Sequence, residues 1–404
     1  MEDDKHKIAK TIVIPQDIIE EIFQHLPVKA LTTFKILSKK YREMIESAHF
    51  SHKRLVCKGL RTPNMKLLVV SQQLSTMRDE QDSNSTTLCL DIFSRDDYNN
   101  GKNCPSSSSY YTFPDDPIDK SQNKTIQVLG SCDGLILIRI YEDFRYIYLI
   151  NPSTKKHMTL FPEFLRFATT ATDKRTWRES QSVLDYEGEL VKIMPCLAGF
   201  GKDIVTKSYK VILLYPRRQI LLYSIHHQNC HYFKVEVISL DNGLQREADT
   251  PCLYDVQFCE EHTSVYANGS LFWLTLAWKG ISRLLAIDLH TEKFRWISLP
   301  KCHTSYATSI EMGNLNDRLC LSNVLENSNL QVWSLQEDHP LNEKWKKIYY
   351  IDIKTSQLNE KFWMFGLPAA YFPRIGKNRD HVSFARNKTI SYSPTMISPS
   401  SLML

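Results

Sequence analysis

The sequence predicts an α+β chain in two unequal parts, a small head of three short helices followed by a large all-β domain. Three observations carry that reading. Apolar residues at helical spacing, punctuated by two prolines, run from Ile14 to Phe50, short strand-like runs begin after Thr125, and a β-meander pattern recurs within those runs.

Within the head, Pro15 suits the first turn of a helix, where a missing N–H costs nothing. The apolar residues that follow form two adjacent stripes, Ile18/Ile22 beside Ile19/Phe23/Leu26, and such a band is wide enough to meet two partner surfaces. Pro27 ends this helix, and Val28, Leu31, Phe34 and Leu37 set the register of a second. Ser38 offers a cap to a third, with Tyr41, Met44, Ile45 and Ala48 on one face. Three helices in about 35 residues are too few to bury their own apolar surface, and no metal or disulfide staple is visible. A neighbouring domain, another protein, or both together must cover it.

Residues 71–125 are rich in Ser, Asn and Asp and read as a polar loop insertion with one embedded strand, LCLDIF. Beyond it, CDGLILIRIYEDFRYIYLINPSTKKHMTLFP, ending at Pro162, aligns with ANGSLFWLTLAWKGISRLLAIDLHTEKFRWISLP, ending at Pro300. Each reads as three antiparallel strands, opened at Asp133-Gly134 or Asn268-Gly269 and turned last at Asn151–Thr154 or Asp288–Thr291. Weaker copies lie at YKVILLYPRRQILLYSIHHQNCHYFKVEVISL and DRLCLSNVLENSNLQVWSLQEDHPLNEKWKKIYYI. Repeated small meanders of this size predict a β-propeller-like array, with a sandwich of two sheets as the alternative. Residues 1–13 are expected to be flexible, and 376–404, rich in Ser and Pro, to form a partly disordered tail.

Composition narrows the function classes. With 42% hydrophobic and 24% charged residues the chain can build a real core, and a net charge of +5 is too dilute to argue for nucleic acid. No apolar run reaches membrane-spanning length, and MEDDKHKIAK lacks the apolar core of a secretory signal, so a cytoplasmic or nuclear protein is expected. The ten cysteines include no CxxC pair and read as free thiols. Gly199-Phe200-Gly201-Lys202 lacks phosphate-loop spacing and reads as a turn before the strand SYKVILL. His226–His231 reads as a polar hairpin rather than a zinc site. Most of the tryptophans from Trp273 to Trp363 should fill the β core. No cofactor, metal or catalytic residue is expected.

The order Ile14-Pro15, DIIEEIFQHL, Leu26-Pro27-Val28-Lys29, ALTTFKIL, SKKYREMI and His49-Phe50 resembles an F-box over residues 14–54. Ile14 stands where Leu is usual, a change that keeps side-chain volume, and Tyr41 stands where plant members often carry Trp. The runs GSCDGLILI, LINPSTKKHMTLFP, GFGKDIVTKSYKVILL, VYANGSLFWLT, LLAIDLHTEKFRWISLP and LQVWSLQE resemble the F-box-associated domain of plant F-box proteins, placed here at 55–375. The resemblance implies a kelch-like β-domain that binds a protein target, and a head that docks the Skp adaptor of a cullin-RING ubiquitin ligase. The adaptor-facing residues it implies are Ile14, Pro15, Ile18, Ile22, Leu26, Pro27, Val28 and Leu31. The partners expected are therefore the adaptor, cullin through it, and an unidentified target, with no nucleic acid and no membrane. The competing reading is a β-propeller enzyme or carbohydrate-binding protein capped by helices.

Overall fold

The structure is a computed structural model that describes residues 14–59, 66–73, 86–93, 106–113, 126–140, 143–160, 182–184, 190–192, 197–216, 230–231, 233–248, 253–254, 256–258, 263–277, 283–300, 310–324, 329–337, 343–352, 388–392 and 395–403. Four helices come first: α1 (Gln16–His25), α2 (Val28–Leu37), α3 (Lys39–Glu46) and α4 (Ala48–Gly59). The fourth was not expected, and the boundary at residue 54 falls inside it. Its start was legible: Ser47 Oγ accepts from the Phe50 amide at 3.1 Å, the usual serine cap. Ser38 sits at the head of α3 without such a bond.

The rest is β. Four blades follow one another in chain order, each an antiparallel meander that winds outward, and together they form a β-propeller. Blade 1 is built from Ile126–Cys132, Leu135–Ile140, Asp143–Asn151 and Lys156–Leu160. Blade 2 comprises Leu197–Lys202, Tyr209–Pro216, Phe233–Ser239 and Gln245–Ala248. Blade 3 has its first strand split into Val256–Phe258 and Val265–Ala267, then Ser270–Ala277, Arg283–Asp288 and Phe294–Ser298. Blade 4 contains Ile310–Leu315, Arg318–Val324, Asn329–Glu337 and Glu343–Asp352. A further sheet joins Lys66–Gln73, Thr86–Phe93 and Ser107–Phe113 to Lys388–Tyr392, so strands from far-apart stretches of chain share one ladder.

Three expectations change here. Each unit has four strands rather than three, because the strand before the Asp-Gly turn, IQVLGSC in blade 1, is apolar enough to join the sheet. The presumed loop at 71–125 contributes three strand segments rather than one. The tail, expected to be partly disordered, supplies the strand Lys388–Tyr392 and a packed segment, Thr395–Met403. Residues 1–13 lie outside the described residues.

Neighbouring sheets share apolar cores. Leu68, Leu88 and Leu90 of the joining sheet pack on Ile136, Ile138 and Ile150 of blade 1. On its other face blade 1 offers Leu135, Leu137 and Leu149 to Phe200, Val211 and Leu213 of blade 2. Ile212, Leu214 and Val237 of blade 2 then meet Leu271, Trp273 and Leu285 of blade 3, and Phe272 and Leu284 of blade 3 meet Leu319 and Leu321 of blade 4. Period-two alternation therefore sends successive residues of one strand into two different cores.

The segment Gly199–Lys202 is not a turn but the innermost strand of blade 2. Phe200 enters the blade 1 side, while an added Cβ at Gly201 would stand 2.4 Å from the Tyr266 ring and one at Gly199 2.7 Å from Trp273. Glycine is needed there because blade 3 lies against the backbone. Gly201→Ala should lower stability by about 1–3 kcal/mol through overpacking, measured by urea unfolding. Beside it, Ser264 of blade 3 donates to the Leu129 carbonyl of blade 1 through both its amide (3.2 Å) and its hydroxyl (2.6 Å), so these inner strands meet directly.

Antiparallel winding puts the first and third turns of every blade on one face and the remaining connections on the other. The first face is built of tight turns: Asp133-Gly134, Asn268-Gly269 and Asn316-Asp317 all carry two consecutive positive φ values, the hairpin geometry that Asn, Asp and Gly favour. Asn151, Asp203 and Asp288 each fold a turn by accepting two amides, at 2.9 and 3.2 Å, 2.8 and 3.2 Å, and 3.0 and 2.6 Å. The strand ends that flank the longer connections, 161–196, 217–232 and 301–309, lie on the opposite face, and most residues of those connections fall outside the described residues.

Candidate docking surface

The head is held together by the inner stripe of α1. Phe23 packs on Phe34 (4.8 Å between ring centres) and edge-on to Tyr41 (5.3 Å), within a core that includes Val28, Leu31, Ile45 and Phe50. Arg54 of α4 reaches back into this core and donates to the carbonyls of Phe23 (3.1 Å), Gln24 (2.7 Å) and Leu26 (2.5 Å). Pro27 prevents α1 from continuing, and the guanidinium takes up the Gln24 and Leu26 carbonyls and shares that of Phe23 with the Leu26 amide. Lys53 adds an ion pair to Glu20 at 3.2 Å.

The outer stripe has no such cover. Ile14, just ahead of α1, and Ile18 and Ile22, on consecutive turns of it, are 52, 52 and 49% exposed, and Ile36 and Leu37 at the end of α2 are 79 and 66% exposed. Pro15 and Pro27 are also exposed and Leu26 is half-buried. Exposed large apolar side chains grouped on one small unit mark an interaction surface. Of the eight predicted docking residues the structure thus leaves Ile14, Pro15, Ile18, Ile22 and Pro27 available. Val28 and Leu31 are instead sealed in the head's own core. Ile36 and Leu37 were not among the eight; the periodicity placed Leu37 in register with Val28, Leu31 and Phe34, whereas α2 ends there and both residues are exposed.

The head sits on the tight-turn face. Glu46 faces Lys156 of blade 1 at 3.9 Å, and a cavity of about 230 Å3 separates α4, at Ser51, His52 and Leu55, from Lys207, Tyr209 and Asp241 of blade 2. The long-connection face therefore points away from the helices.

Comparison with known proteins matches this arrangement. Residues 13–53 match the F-box domain family, and residues 93–384 match the family described as F-box associated beta propeller domain. The chain belongs to the F-box proteins. The F-box match takes in α1 to α3 and part of α4, including Phe50. The F-box protein At1g71320 of Arabidopsis thaliana is 59% identical over 418 aligned residues covering all of both chains. A second Arabidopsis thaliana F-box protein, At1g33530, is 32% identical over 345 residues, 83% of this chain and 62% of its own length. Among solved structures, Trypanosoma rangeli sialidase aligns with 72% of this chain and 48% of its own at 8% identity and a TM-score of 0.35, a likeness that says nothing about binding or catalysis.

Cys230–His231 is a short strand paired with Leu253–Tyr254, the remainder of the histidine-rich stretch lies outside the described residues, and no cluster of three metal-ligating side chains occurs among the described residues. Trp273 is buried as expected, and its indole N–H donates to the Ala198 carbonyl at 3.3 Å. Trp296, Trp333 and Trp345 are only half-buried, while Trp278 and Trp363 lie outside the described residues.

Proposed function

We propose that this F-box protein is a substrate-recognition subunit of an SCF-type cullin-RING ubiquitin ligase, with the F-box docking a Skp-type adaptor and the propeller holding a protein target. One observation carries the reading: on a head whose inner stripe is already packed, the outer stripe Ile14, Ile18 and Ile22 stays open to solvent. Such a face lowers its free energy by about 25 cal/mol for each Å2 that a partner covers. The target would meet the face of long connections, opposite the helices. The chain's contribution is proximity, raising the local concentration of a target lysine near the charged enzyme, and this needs no catalytic group in the receptor. The subunit is placed in the cytoplasm or nucleus, where that machinery operates.

The test is co-purification with the adaptor. Wild-type chain should capture it, and the Ile18→Asp/Ile22→Asp double variant should capture at least ~100-fold less while keeping its melting temperature, because both side chains are exposed in the free head. Undiminished capture by that variant would move the interface elsewhere. Absence of capture by the wild type would remove the ligase reading altogether.

A further inference from the structure

Among the described residues, Met396 is the one buried member of the head's apolar core that comes from outside residues 14–59, and it is 4% exposed among Phe23, Leu31, Ile45 and Phe50. Its neighbour Ile397, 5% exposed, points the other way, into the core shared by blades 1 and 2, where Leu402 and Leu55 also pack. Asn151 of blade 1, fully buried, fixes the backbone between them: its Nδ2 donates to the carbonyls of Thr395 (3.2 Å) and Ile397 (2.5 Å) while its Oδ1 folds the adjoining turn. Consecutive side chains of one segment thus enter two separate cores.

Apart from Leu55 of α4, which is partly buried against that blade 1 and 2 core, the direct links from helices to blades are weak by comparison. The Glu46–Lys156 pair joins two solvent-exposed side chains at 3.9 Å, a geometry that contributes little, and a cavity lies between α4 and blade 2. We infer that Thr395–Met403 is an intramolecular latch that completes the F-box core and fixes the head on blades 1 and 2. The docking face and the long-connection face are thereby held at one distance and angle. The latch stands on packing alone; its value for ubiquitin transfer rests on the function proposed above.

The test uses the full chain and reads the coupling, not the ligase. In calorimetry the wild type should melt in one cooperative transition. The Met396→Ala/Ile397→Ala variant should show two, the head melting roughly 5 °C or more below the blades, with faster tryptic cleavage at Lys58, in the last turn of α4, or at Arg61, which follows it in sequence. Met396→Leu should retain the wild-type profile. Asn151→Asp keeps the turn-folding oxygen and turns a donor into an acceptor facing two carbonyls, so it should reproduce the split in a variant whose two cores are otherwise intact. A single transition at the wild-type temperature with unchanged cleavage in both Met396→Ala/Ile397→Ala and Asn151→Asp would overturn the latch. Adaptor capture by the same proteins separates the two ideas, since a working latch on a chain that binds no adaptor leaves the inference standing and removes only the proposed function.

Discussion

Lys210→Met should cost about 3 kcal/mol of stability at neutral pH, seen as a lower urea midpoint with an unchanged slope. Lys210 is buried between blades 2 and 3, where its ammonium donates to Asp203 (3.3 Å), Glu292 (3.0 Å) and the Leu289 carbonyl (2.5 Å). Removing it leaves two buried carboxylates without their shared cation, with the Val205 and Thr206 amides and His290 still on Asp203 and Arg246 still paired with Glu292. The triple variant Lys210→Met/Asp203→Asn/Glu292→Gln should recover most of the loss, because no charge is then buried unpaired.

The same cluster predicts a pH dependence. Burial pushes the Asp203 carboxyl upward, but hydrogen bonds from Val205 and Thr206, and from His290, outweigh it and hold the group well below the usual carboxylate range. A folded-state value below the unfolded one of about 3.9 means this stabilisation is fully present above about pH 4 and is lost as the pH falls toward the folded value. Acid titration of the wild type should therefore show a loss below pH ~4 that Asp203→Asn lacks.

Arg54→Leu should cost about 3 kcal/mol or more and destabilise the head selectively. It strands the Gln24 and Leu26 carbonyls at the end of α1 and takes one of two donors from the Phe23 carbonyl, which keeps the Leu26 amide at 3.2 Å, in a unit with little apolar area to compensate. Arg54→Lys should recover only part, since a single ammonium cannot reach three acceptors that a planar guanidinium spans. Thermal unfolding of the F-box, followed by protection of its amides from hydrogen exchange, would show the loss. Equal protection of α1 in both variants would contradict the assigned role.

Much of this fold could be read in the sequence because its signals are local. The double stripe of α1, the proline after it, and the Asp-Gly and Asn-Gly turns each state their geometry within a few residues, and the structure repeats them. What was missed depends on residues distant in the chain. Arg54 looks like one more solvated cation until the end of α1 is placed beside it, and Gly199 and Gly201 look like a turn until Trp273 and Tyr266 are laid across them. Val28 and Leu31, which the family resemblance implied would face the adaptor, are buried in the head itself, a placement that periodicity does not reveal because an apolar residue in a small head can face inward or outward with the same spacing. Ser- and Pro-rich composition at 376–404 concealed Met396 and Ile397, two apolar residues whose burial comes from other segments.

The pairing of Lys66 with Tyr392 across one antiparallel ladder has a kinetic consequence. Chain entropy penalises so large a loop only gently, each doubling of its length adding about 0.6 kcal/mol. Time is the harsher constraint. Blades form from neighbouring strands and can assemble early on a growing polypeptide, whereas this ladder waits until the distant strand has been made, leaving Lys66–Gln73 without that neighbour meanwhile. Newly made molecules should accordingly be most vulnerable to aggregation, and most dependent on chaperones, in the interval before that last strand arrives.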